Sequence, residues 1–108
     1  MFVRLTRVQV RVERIEHVIK VYKESIVPTT RTQLGFLGLC LFVNRKTGEG
    51  ISQSFWRSEE DVLASEANHH YQEQLIKVMN SFTSPPVREG YEVEYCEFKE
   101  PLTLVDTK

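Results

Sequence analysis

Hydrophobic and polar positions change period several times along the chain, and each change predicts an element. From Phe2 to Val12 the β-branched residues Val3, Val8, Val10 and Val12 are spread among polar neighbours, which predicts a first strand. From Glu13 the period lengthens: Ile15, Val18, Ile19, Tyr22 and Ile26 form one helical stripe. Pro28 lacks a backbone donor, so the helix should kink or weaken near Val27, with 29–33 either a last turn or an ordered loop. After Gly35, the run Phe36 to Val43 is apolar on both strand faces, Phe36/Gly38/Cys40/Phe42 and Leu37/Leu39/Leu41/Val43. The polar stretch 44–50 holds two glycines and predicts a hairpin into a third strand over 51–57, where Ile51, Gln53 and Phe55 alternate with Ser52, Ser54 and Trp56.

Ser58 followed by Glu59, Glu60 and Asp61 reads as a hydroxyl cap and an acidic first turn. The wheel places Leu63, Ala64, Ala67, Tyr71, Leu75, Val78, Met79 and Phe82 on one face, predicting a single helix over 59–82 that ends before Pro85 and Pro86. Tyr91, Val93 and Tyr95 then alternate with Glu92, Glu94 and Cys96, predicting a fourth strand. The order β-α-β-β-α-β is the α+β, ferredoxin-like arrangement: an antiparallel four-stranded sheet with two helices on one face, as one domain over 1–98 with a tail over 99–108 held at most by Leu102 and Leu104. The doubly apolar second strand asks for cover on both sides, and the chain has no further element to supply it. The expectation is a homodimer packed through its sheet faces.

Composition narrows the function classes. The 108 residues carry 14 Lys+Arg and 15 Asp+Glu, a formal charge of −1, which speaks against a nucleic-acid partner because such binding needs a surplus of cations. No apolar run reaches the roughly 20 residues of a membrane span, and the alternating N-terminus does not resemble a signal peptide. Cys40 and Cys96, each expected within a strand, read as free buried thiols, and the predicted location is cytoplasmic.

Several stretches carry a family resemblance: the strand Phe2 to Val10, Pro28 late in the first helix, Gly35-Phe36-Leu37-Gly38-Leu39, and Phe55-Trp56-Arg57-Ser58-Glu59-Glu60-Asp61 leading to Ala64-Ser65-Glu66. In this order and spacing the chain, over roughly residues 1 to 98, resembles the antibiotic biosynthesis monooxygenase-like group of the dimeric α+β barrel superfamily. That resemblance implies a sheet-to-sheet dimer with a pocket between each sheet and its helices. It also implies relatives that oxygenate phenolic or quinol-like compounds without metal or flavin, beside others that degrade haem. The haem-degrading pattern needs an Asn in the first strand and a Trp within the second helix. Here the first strand has no Asn, and Trp56 precedes the helix cap.

Oxygenation without a cofactor requires a base to form the substrate anion in a dry pocket. His70, at the edge of the second helix's apolar face, is the candidate base, whereas His69 lies on the polar side and His17 points away from its stripe. Trp56, Tyr71, Tyr22 and Arg4 are the candidate substrate-binding residues for a small aromatic ligand. Arg4 and Arg7 have a second reading, as cross-strand partners of Glu92 or Glu94. No metal site is expected: adjacent helical histidines point about 100° apart, and no further ligands complete a set. The sequence leaves two readings, a cofactor-independent monooxygenase and a non-catalytic small-molecule-binding or structural dimer.

Overall fold

The computed structural model describes residues 1–100; the predicted anchors Leu102 and Leu104 lie outside the described residues. Four strands, β1 (Phe2–Gln9), β2 (Phe36–Val43), β3 (Glu49–Trp56) and β4 (Val87–Glu92), form one sheet in the order β2-β3-β1-β4. Every neighbouring pair is antiparallel. This is the ferredoxin-like α+β sheet. A first helical run crosses one face as α1 (Ile15–Val21), a π-helical turn (Tyr22–Ile26) and α2 (Val27–Thr30), and a second as α3 (Glu59–Ala67) and α4 (His70–Ile76).

The stripe Ile15, Val18, Tyr22 and Ile26 is buried and packs with Val10 and Val78 into the main core. The irregularity expected near Val27 is a widened turn, and the run does not end there. Without its N–H, the preceding turn widens, Val27 N–H bonds the Tyr22 carbonyl five residues back, and the helix resumes to Thr30.

The predicted single helix over 59–82 is two helices. Ser58 caps α3 as expected, its Oγ accepting from Asp61 N–H at 3.2 Å. At the other end His69 adopts a left-handed backbone, φ 68°, and Asn68 Oδ1 accepts from His70 N–H at 2.9 Å to start α4. The break re-phases the second run. In α3 the buried positions are Val62 and Ser65, while Leu63, Ala64 and Ala67 face water; in α4 the inward face is His70, Tyr71, Gln74 and Leu75, followed by Val78.

Strand four also differs, occupying Val87–Glu92 instead of 91–96. Its alternation is hidden because Gly90 faces inward without a side chain; a Cβ there would press on the Phe2 ring at 2.9 Å. Cys96 therefore falls beyond the strand and is exposed, while Cys40 stays half-buried in β2; both are free. In β2 a bulge between Phe36 and Gly38 splits the expected face, so Phe36 meets Trp56 edge-on at 5.7 Å.

The register decides which side of the sheet is which. Arg4, Thr6 and Val8 of β1, Ser52 and Ser54 of β3, and Leu39 and Leu41 of β2 all face the helices and line one cavity. By alternation, Val3, Leu5, Ile51, Phe55 and Phe42 occupy the other side. The sheet's inner face is polar at its centre, and its outer face is mixed, with Val3, Leu5, Ile51 and Phe55 beside Gln53 and the Arg7–Glu89 ion pair. Among the described residues no helix is long and apolar enough to cross a membrane.

Candidate active site

The cavity, about 90 Å³, lies between the sheet and the two helical runs. Its lining includes Arg4, Tyr22, His70 and Tyr71, four of the five residues singled out from sequence, and leaves out Trp56. Trp56 is fully buried one step away, its Nε1–H donating to Ser54 Oγ at 2.9 Å, with the Arg4 guanidinium 5.4 Å from its ring centroid. His69 and His17 are exposed and apart from the cavity. No group of three or more His, Cys, Asp or Glu side chains is arranged to hold a metal among the described residues.

Arg4 turns inward instead of pairing with Glu92 or Glu94. Its Nη1 donates to Ser65 Oγ at 2.9 Å and to Glu66 Oε2 at 3.3 Å, and its guanidinium lies 4.4 Å from the Tyr71 ring centroid. Glu66 is shared with Arg88 at 3.6 Å. The cross-strand partner of Arg7 is Glu89, at 2.8 Å, because β4 begins four residues earlier than expected. Burial pulls the Arg4 pKa down while Glu66 opposes the shift; a guanidinium keeps its charge in either case.

His70 is 5% exposed at the start of α4. Its Nε2 lies 3.2 Å from Thr30 Oγ1, and that hydroxyl already donates to the Ile26 carbonyl at 2.8 Å. Toward His70 the hydroxyl can only accept, so Nε2 carries the proton and Nδ1 is the bare nitrogen of the neutral ring. No fully buried side-chain nitrogen or oxygen lacks a partner among the described residues, so Nδ1, which has none, is not sealed in packing, and His70 lines the cavity. Burial lowers the His70 pKa, and the nearby Arg4 charge lowers it further. The imidazole is therefore held neutral.

The hydroxyls form two pairs across the floor. Tyr22 and Ser52 are 2.8 Å apart, Thr6 and Tyr71 3.2 Å. Burial pushes the Tyr22 phenol up to about 12, so it stays protonated and serves as a hydrogen-bonding wall. Thr30, Ser52, Ser54, Ser65 and Glu66 were not among the sequence candidates. The alternation of Ser52 and Ser54 with Ile51 and Phe55 was the available signal, but only the tertiary fold tells which face is covered.

The sequence profile described as antibiotic biosynthesis monooxygenase matches residues 1–74. No curated protein matches the chain. Among solved structures, the monooxygenase ActVA-Orf6 of Streptomyces coelicolor, in complex with nanaomycin D, superposes with a TM-score of 0.74 at 13% identity, covering 92% of this chain and 92% of that one. SnoaB, a cofactor-independent oxygenase from Streptomyces nogalater, gives 0.68 at 12% identity over 88% and 94% of the two chains. A conserved protein from Methanosarcina mazei Go1 gives 0.70 at 14% identity over 84% and 91%. At these identities the likeness is one of fold.

Proposed function

From the premise that the chain belongs to the antibiotic biosynthesis monooxygenase family, we propose that it is a cofactor-independent monooxygenase acting on a phenolic or quinol-like small molecule. The observation that carries this reading is His70: a buried imidazole, lining a largely apolar cavity, whose Nε2–H is engaged by Thr30 and whose Nδ1 is unpaired. His70 takes the phenolic proton, and the electron-rich anion reduces dioxygen within the cavity. For a phenol with a free ring position, phenol plus O₂ gives quinone plus water: one oxygen atom enters the ring and the other leaves as water. All four electrons come from the substrate. Arg4 and the Tyr71 and Tyr22 hydroxyls orient the ring, and Trp56 backs Arg4.

The working unit in this reading is one domain over 1–98, paired as a homodimer through the outer face of the sheet, where Val3, Leu5, Ile51 and Phe55 lie. The free cysteines fit a cytoplasmic setting. The small cavity favours a competing reading, a non-catalytic binding or structural dimer. Oxygen uptake with a panel of reduced quinols and phenols separates the two. Uptake by the native protein, lost by at least about a hundredfold in His70→Ala, supports catalysis with this base. Unchanged uptake in the variant refutes the base, and no uptake with any member favours the binding dimer.

A further inference from the structure

The two ends of the cavity differ in chemistry. Along β1 the inward side chains run Arg4, Thr6, Val8, so charge, hydroxyl and hydrocarbon follow one another over roughly 14 Å. On β3, Ser54 stands beside Arg4 and Ser52 beside Thr6. Leu41, Val78 and Phe82 complete the apolar end.

Arg4 is 6% exposed, and its protein hydrogen bonds all leave from Nη1. Nε and Nη2 are unspent. No fully buried side-chain nitrogen lacks a partner among the described residues, so these two donors are not sealed in packing, and Arg4 lines the cavity. Nor is the charge balanced: Glu66 serves both Arg4 and Arg88, one carboxylate for two guanidinium groups. Glu73 and Lys77, the charged neighbours of His70, are of opposite sign and offset each other. A guanidinium edge with two free donors in a water-poor site matches a planar oxyanion approaching in its plane.

We infer that the cavity takes a small organic oxyanion, its carboxylate or phenolate seated on the free edge of Arg4 and its apolar body directed along β1 toward Val8 and Val78. This rests on the cavity being the substrate site and narrows the substrate to an acidic compound of one ring. The space of about 90 Å³ is less than the ~150 Å³ that houses benzene. One ring therefore enters with an outward shift of the wall of His70, Tyr71, Gln74 and Leu75, and a fused polycycle would need a larger one.

Anaerobic titration calorimetry on the native protein tests this without turnover, using two matched pairs: benzoate with benzamide, and 4-nitrophenolate with 4-nitroanisole. At least one anion should bind about tenfold or more tightly than its neutral partner. Benzoate reports a carboxylate head, and the colour of bound 4-nitrophenolate a phenolate head. Arg4→Lys keeps a cation but loses the fork, and should weaken the preferred anion by a similar factor. Failure of both anions to exceed their neutral partners overturns the inference, as does full affinity in Arg4→Lys. Anion binding without oxygen uptake would remove the monooxygenase reading and keep the anion site; oxygen uptake without anion preference would do the reverse.

Discussion

His70 illustrates how burial ties the protonation of one side chain to stability. Its ring stays neutral because burial and the Arg4 charge both disfavour the imidazolium. A depressed native pKa means that the unfolded chain binds the proton first as pH falls. The stability contribution is complete above the ordinary value of 6.5 and is lost as pH drops through the lower native value. Urea unfolding of the native protein between pH 8 and pH 5 should therefore show a fall in midpoint that is reduced in His70→Gln. Thr30 sets the orientation of this ring. Thr30→Val strands the Nε2–H in a buried site, and the expected cost is about 1–3 kcal/mol in the same measurement. The identity of His70 as a candidate was legible in sequence because an imidazole at the edge of an apolar helical face is unusual company. The Thr30 contact was not, since forty positions separate the partners and no local pattern links them.

At the scale of elements, the site depends on two departures from a regular helix. The widened turn over Tyr22–Ile26 carries two cavity-lining residues, Tyr22 and Ile26. The break at Asn68 and His69 turns α4 so that His70, Tyr71 and Gln74 face the sheet. A continuous helix would have kept Leu63, Ala64 and Ala67 on the buried side; the break leaves that side to Ser65 and Glu66, which hold Arg4. The left-handed residue at the break is not glycine and costs about 1–2 kcal/mol. His69→Gly should recover about 0.5–1 kcal/mol after glycine's own entropic cost, seen as a rise in Tm. Helical periodicity could not reveal this break, because a wheel assumes one phase throughout and Asn68-His69 lies within an otherwise plausible run.

At the scale of the whole molecule, both faces of the sheet are chemically mixed. Polar Arg4, Thr6, Ser52 and Ser54 face the helices with Val8, Leu39 and Leu41 around them, and Val3, Leu5, Ile51 and Phe55 face away beside Gln53 and the Arg7–Glu89 pair. The inner arrangement makes a cavity with polar groups at its centre; the outer one leaves hydrocarbon that a second copy would cover. Sedimentation at micromolar concentration should give a dimer for the native chain and a monomer for Phe55→Glu, which places a carboxylate among the apolar side chains of that face. A monomeric native chain would refute the sheet-to-sheet pairing. The doubly apolar second strand pointed to this pairing from sequence, although a bulge at Phe36 to Gly38 redistributes its faces.

Element order, the strand and helix types, the Ser58 cap and the family follow from the sequence by itself, because local periodicity and short motifs express backbone preferences that act within a few residues. The phase of the second helical run, the start of β4, the partners of Arg4 and the proton-bearing nitrogen of His70 were decided only by the tertiary structure. Each depends on contacts between residues far apart in the chain, where burial and hydrogen-bond satisfaction outweigh local preference.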